Sequence, residues 1–266
     1  MIQDVLSDEG INSFLDEEIK NKIKIDIREC VGSTNDEVKK LALQGEKEWC
    51  VLLSRCQTQG KGRLGRSFFS PDSTGVYMSI LLRPRCKPEE AVLITTAAAV
   101  AVCHALEKVG AQAPLIKWVN DIYINGKKVC GILTEAGFGA QGGALDYAVL
   151  GIGVNIYAPE GDFPCELQSV AGYVFDDKKE NLTNEFVAGF LNSFYTTYAS
   201  LTKRGFVEEY RKRCFVLGKE INVISQGNVT SAKALDVDEN CNLSVEYSNG
   251  KKALLSSGEI SVRVAN

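Results

Sequence analysis

Apolar and polar positions change rhythm several times along the chain, and each rhythm predicts an element. A polar, acidic stretch over 8–21 reads as a short helix, and then Ile23, Ile25 and Ile27 alternate with lysine and aspartate, the period of a strand. GSTNDEVKKLAL (32–43) has Thr34 followed three residues later by Glu37, which predicts a capping box and a helix that Gly45 closes. Apolar runs at 50–56 and 75–82 read as strands, the second stopped by Pro84. Pro88, Glu89 and Glu90 open a helix reaching Gly110, with its acids in the first turn.

Residues 115–136 read as two strands meeting at Asn125-Gly126, a strong hairpin signal. Beyond a glycine-rich turn at 137–143 another strand covers 146–157, followed by helices over 183–203 and 205–212. From Cys214 onward the pattern changes to five short strands separated by turns at 226–228, 239–240 and 249–250, which predicts a small barrel. The expected class is α+β: a mixed unit over 1–212 and a β-barrel over 213–266.

Composition narrows the chemistry. The 266 residues are 45% apolar and 24% charged, an ordinary globular balance. A net charge of −4 argues against bulk electrostatic binding of nucleic acid. No apolar run reaches the ~18 residues of a membrane span, and the acidic N-terminus has no apolar signal core, so a cytoplasmic protein is expected. Nine cysteines without any Cys-x-x-Cys pair predict reduced thiols, most of them small core residues. The single histidine, His104, lies in an apolar helical run, so chemistries built on several imidazoles are set aside. Lysine, arginine, hydroxyls, amides and backbone remain.

Three segments carry such groups. In QTQGKGRLGR (57–66), Gly60, Gly62 and Gly65 alternate with Lys61, Arg63 and Arg66. Glycines let backbone N–H groups approach an anion and let a loop change shape, and the cations neutralise phosphate. The pattern is not a Walker loop. By itself it fits phosphate or polyphosphate binding, a solvated hairpin tip, or contact with nucleic acid. KWVND (117–121) sets Lys117 in an apolar strand, facing either solvent or a partner. The hydroxyls of GSTN serve equally as a helix cap or as a polar site at a helix N-terminus.

Taken in order, GSTN, QTQGKGRLGR, KWVND, KVCGIL, GIGVN and GEISVR resemble the biotin protein ligases, the biotin–[acetyl-CoA-carboxylase] ligases, over the chain from about residue 25 to its end. The resemblance implies a catalytic domain with a mixed β-sheet flanked by helices, followed by an SH3-like β-barrel. It implies that Ser33, Thr34, Asn35 and Gln57 line a biotin site. Gly60, Lys61, Gly62, Arg63 and Arg66 then belong to a loop that orders over a bound adenylate. Lys117 lies near the reacting carboxylate and α-phosphate, making Lys117 and Arg63 the catalytic pair. Gly131 and Asn155 flank the same site, Lys128 and Arg263 approach the nucleotide side, and Trp118 and Ile132 are candidate apolar walls. Lys61 and Leu64 replace arginines of the family loop, and Val119 replaces a proline.

The implied reaction joins biotin to ATP, with magnesium arriving on the polyphosphate and no metal held by the protein. Biotin then passes to a lysine of a biotin carboxyl carrier protein. With some 30 residues ahead of GSTN, a repressor domain, and hence nucleic-acid binding, is not expected. A membrane partner is not expected either, and a homodimer is left open. The alternative is a lipoate-protein ligase or related acyltransferase of the same fold.

Overall fold

Strand-forming segments of the first part of the chain assemble into one seven-stranded sheet. It comprises β1 (Lys24–Val31), β2 (Cys50–Gln57), β3 (Gly75–Leu82), β4 (Leu115–Lys117), β5 (Asp121–Ile124), β6 (Lys127–Phe138) and β7 (Leu145–Asn155), in spatial order β1-β2-β3-β7-β6-β5-β4. β1 and β2 are parallel and every other neighbouring pair is antiparallel. The structure is a computed structural model and describes residues 4–85, 87, 90–138, 145–225, 227–256 and 260–264.

Side chains alternate across a strand, so the two faces of the sheet separate cleanly. Val51, Leu53, Met78, Ile80, Leu150 and Ile152 point into the main core, beneath α4 (Val92–Lys108) and α5 (Leu182–Ala199). α1 (Asp8–Phe14) and α2 (Glu17–Lys20) contribute Ile11 and Ile19 to the same core. The opposite face presents Leu52, Leu81 and Val149 to Val38 and Ala42 of α3 (Thr34–Leu43). Among the described residues α3 is the helix that packs on that face, and it covers only part of it.

After α6 (Val207–Arg213) come β8 (Glu220–Ser225), β9 (Asn228–Val237), β10 (Leu243–Tyr247), β11 (Lys252–Leu255) and β12 (Ile260–Val264). They form an antiparallel sheet in the order β11-β10-β9-β8-β12. The expected five strands are present, but among the described residues β11 and β12 do not pair to close a barrel. One apolar cluster runs through both sheets, from Ile116 and Trp118 to Val216, Val223 and Leu243. Polar bonds reinforce the seam: Trp118 Nε1 donates to Cys241 O at 2.9 Å and Phe215 N to Ile116 O at 3.0 Å, while Tyr210 Oη of α6 donates to Val119 O at 3.1 Å on the near side of it.

Several expectations change. The strand expected over 115–124 breaks at 118–120, where Trp118 turns its indole to Cys241 and Asn120 bonds Ile132 with both backbone and side chain. The Trp118–Val119 peptide is cis. The helix expected over 8–21 is two short helices, and α4 begins at Val92; Pro88 and Glu89 lie outside the described residues. The capping box does not form. Ser33 is the N-cap and makes no cap bond, the Thr34 hydroxyl donates to Gln57, and Glu37 pairs with Arg28 and Lys40.

The reduced-thiol expectation is corrected at one pair. Parallel pairing of β1 and β2 sets Cys30 opposite Cys56, and their sulfurs are bonded. Their separation of 26 residues carries no local signal of this. Cys50, Cys103, Cys130, Cys214 and Cys241 are buried, as core residues should be, and burial pushes the Cys103 and Cys214 thiols up to about 12. Among the described residues no helix is long and apolar enough to cross a membrane.

The disulfide predicts that chain unfolded without reductant titrates two fewer thiols than reduced chain. Reduction should also lower the unfolding free energy by about 3 kcal/mol, read from paired denaturation curves.

Candidate active site

The uncovered part of the α3 face is bare because three of its positions are glycine. Gly131 lies opposite Gly153, and Leu133 opposite Gly151. A Cβ on Gly151 would strike the Asn35 carboxamide, and one on Gly153 would stand 2.6 Å from the Phe68 ring. A side chain at either place would therefore fill the hollow that the strands leave. The result is an open cleft bounded by the start of α3 and by the loop after β2. A second lobe adjoins it, and the two share Gly62, Arg63, Phe68, Asn120 and Lys128.

The first lobe has a polar floor. Gln57 Oε1 accepts from Thr34 N at 2.9 Å and from Thr34 Oγ1 at 3.1 Å, while Gln57 Nε2 donates to Ser70 Oγ at 2.9 Å. Ser79 Oγ lies 2.7 Å from Thr34 Oγ1 and 2.6 Å from Asn35 Oδ1, and Asn35 Nδ2 donates to Glu135 Oε2 at 2.7 Å. Ser33, Thr34, Asn35 and Ser79 are all buried. Buried polar groups are costly unless bonded, so this chain fixes the orientation of each amide. With its carbonyl oxygen doubly bonded to Thr34, Gln57 keeps one Nε2 hydrogen beyond its bond to Ser70.

The glycine-spaced segment is ordered. Lys61 bridges Ser67, Gly62 N donates to Arg66 O at 2.7 Å, and Phe68 N donates to Gly60 O at 2.8 Å, closing a small hairpin. Its tip uses the left-handed region at Leu64 (φ 57°) and Gly65 (φ 72°). Lys61 forms an ion pair with Asp36, which raises the lysine's pKa chiefly through that hydrogen bond. Arg63 Nη1 donates to Asn120 Oδ1 at 3.2 Å, and burial lowers the pKa of this guanidinium.

The second lobe gathers cations. Arg63, Arg66, Lys117 and Lys128 border it, with Asp121 beside them. Lys128 Nζ is 2.7 Å from Asp121 Oδ1, and Lys117 Nζ sits 5.7 Å from the centre of the Tyr123 ring.

Of the residues singled out from the sequence, Ser33, Thr34, Asn35, Gln57, Lys61, Gly62, Arg63, Lys128 and Gly131 border the first lobe, and Arg66 and Lys117 the second. Gly60 lies behind, at the hairpin base, where a Cβ would strike Phe68 O. Asn155 is not among the lining residues; its amide donates to Gly172 O at 2.9 Å. Arg263 pairs with Asn222 through β12, and its side chain lies outside the described residues. Trp118 borders the second lobe and Ile132 the first, yet both belong to the main core. Phe68, Ser70, Ser79, Asn120 and Glu135 were not anticipated as parts of the cleft. Two glycines spaced by one residue within the strand GIGVN were the available signal of the hollow.

The comparisons agree with this architecture. Residues 27–155 match the biotin/lipoate A/B protein ligase family, and residues 216–263 match the biotin protein ligase C terminal domain. The chain is 30% identical over 230 residues to the bifunctional ligase/repressor BirA of Bacillus subtilis (strain 168), covering 85% of this chain and 70% of that one. It is 25% identical over 244 residues to the biotin–[acetyl-CoA-carboxylase] ligase of Mycobacterium tuberculosis, covering 89% and 88%. The fold superposes on the biotin protein ligase of Aquifex aeolicus in complex with biotin and ATP with a TM-score of 0.74 and 23% identity, covering 91% of this chain and 99% of that one. With its motifs in order and its cleft on the glycine-bared face, the chain belongs to the biotin/lipoate A/B protein ligase family.

Proposed function

We propose that this chain is an ATP-dependent biotin protein ligase. It forms biotinyl-5'-adenylate and then transfers biotin to a lysine of a biotin carboxyl carrier domain. The observation that carries this reading is the division of one cleft into two unlike lobes, a hydrogen-bonding floor in the first and clustered cations in the second. A bicyclic urea needs donors and acceptors within a largely apolar hollow. Thr34, Gln57 and Ser33 offer these, and Phe68 and Leu133 offer the apolar contact. The lobe with Arg63, Arg66, Lys117 and Lys128 suits the phosphates.

In the first half-reaction a biotin carboxylate oxygen attacks the α-phosphorus of ATP, and the bond to the pyrophosphate oxygen breaks. Two anions must meet, so the contribution of the protein is positional and electrostatic. Lys117 is assigned to screen carboxylate from phosphate, and Arg63 to hold the phosphate from the hairpin side. In the second half-reaction a neutral lysine amine attacks the acyl carbon, the bond to AMP breaks, and the amine loses its proton. The hairpin excludes water from the mixed anhydride meanwhile. Magnesium would arrive on the ATP polyphosphate; among the described residues no three His, Cys, Asp or Glu side chains converge to cage an ion. We further assign the reacting groups to residues 1–212 and a bracing role to 213–266. Use of ATP puts the proposed reaction in the cytoplasm, where a reducing poise would act on Cys30–Cys56.

The polar floor favours biotin over lipoate, because a dithiolane would leave those buried donors and acceptors without new partners. Among the described residues no cysteine lines either lobe, as the thiol chemistry of an acyltransferase would require.

Incubation of a carrier domain with biotin and magnesium-ATP should add one biotinyl mass to it; transfer of lipoate in place of biotin would overturn the reading. Lys117→Ala should depress biotin-dependent pyrophosphate exchange by about 100-fold or more, and full exchange in that variant would remove Lys117 from the role given. Arg63→Ala should release free biotinyl-adenylate, measured by chromatography against carrier product. Gly153→Ala sets a methyl 2.6 Å from the Phe68 ring, which must shift, and should raise KM for biotin while leaving that for ATP close to wild type.

A further inference from the structure

We propose that Asp36 is a positioning residue, gripping Lys61 so that the glycine-spaced hairpin is biased towards lying closed over the first lobe. The consequence for the adenylate rests on the ligase reading above; the latch itself does not.

Asp36 stands in the first turn of α3, on one bank of the cleft, and its carboxylate pairs with Lys61 from the hairpin. The second tie, Arg63 to Asn120, reaches the opposite bank. Asn120 is itself fixed, because its Nδ2 donates to Ile132 O at 2.8 Å and its carbonyl accepts from Ile132 N at 3.0 Å. The hairpin base is pinned as well, with Gly60 packed against Phe68 O. Opening therefore means breaking these side-chain ties, among others that Arg63 makes, and swinging the tip, while the base stays in place.

The two ties differ in kind. Arg63 is desolvated, whereas the Lys61 and Asp36 side chains are 40% and 38% exposed. A pair so exposed shifts an opening equilibrium by only about two- to fivefold, and salt screens it. Such a latch biases the hairpin without locking it, which a lid that must admit substrate requires. Lysine suits the task because it is a point charge, released without losing a planar two-point contact.

Lys61, Arg63 and Arg66 are themselves trypsin sites, so the hairpin reports its own opening. Native protein, Asp36→Asn and Asp36→Glu are digested briefly at low salt and at raised KCl, and cleavage within 61–66 is followed by mass spectrometry. Asp36→Asn should be cut there about two- to fivefold faster than wild type at low salt, and Asp36→Glu at close to the wild-type rate. KCl should speed wild type towards Asp36→Asn and leave that variant little changed. Cleavage elsewhere and the melting temperature serve as controls for global loosening. Equal rates for wild type and Asp36→Asn would overturn the latch, as would acceleration spread evenly along the chain. With biotin, ATP and a carrier domain, Asp36→Asn should release more free adenylate per carrier modified. If the digestion behaves as expected but neither protein makes adenylate, the latch stands and the ligase reading falls.

Discussion

Ser79 of β3 meets the side chains of Thr34 and Asn35 at the point where its neighbour β7 has only glycine to offer α3. Gly131, Gly151 and Gly153 strip the neighbouring strands on that face. An apolar helix would have no partner there, so the start of α3 is attached by hydrogen bonds while its later residues, Val38 and Ala42, are held by burial. The hollow exists because these two modes of attachment meet within one helix. Removing the Ser79 hydroxyl would leave one buried acceptor, on Thr34 or Asn35, without its donor at a cost of about 1–3 kcal/mol. The rim of the cleft is thus also a load on the fold.

The same frugality with side chains separates the lobes chemically. Where backbone is bare, an uncharged ring can lie flat against Phe68 and the strands. Where β4 and β5 break at 118–120, polar groups cluster, and the Lys128–Asp121 pair sets charge beside Arg63 and Lys117. Burial lowers the Arg63 pKa but leaves the group a cation, since a guanidinium does not lose its proton in proteins. The desolvation instead strengthens its pull on any anion that comes near.

Much of this was legible from residues close together in sequence. The alternation in 23–27, the Asn125-Gly126 turn and the five late strands each encode their element within a few positions. The cations of 57–66 were legible as a group because glycines isolate them. What escaped depended on distant partners. Thr34 and Glu37 satisfy a local capping rule, yet Gln57 and Arg28 offer better partners once β1 and β2 lie alongside. Ser79 sits in GVYMSILL, where one hydroxyl in an apolar run looks like filler. Glu135 has meaning only because β6 carries it to Asn35. Cys30 and Cys56 become neighbours only through parallel pairing, which no spacing rule encodes.

The indole bond from Trp118 to Cys241 joins a cleft-bordering turn to a unit that, among the described residues, contributes no lining residue to either lobe. Together with Phe215 N, which donates to Ile116 O, it makes the smaller sheet a buttress and not an appendage. The two halves should therefore melt in a single calorimetric peak. An expression clone ending after α6 would present bare tryptophan and tyrosine to water, and would precipitate before it could be assayed.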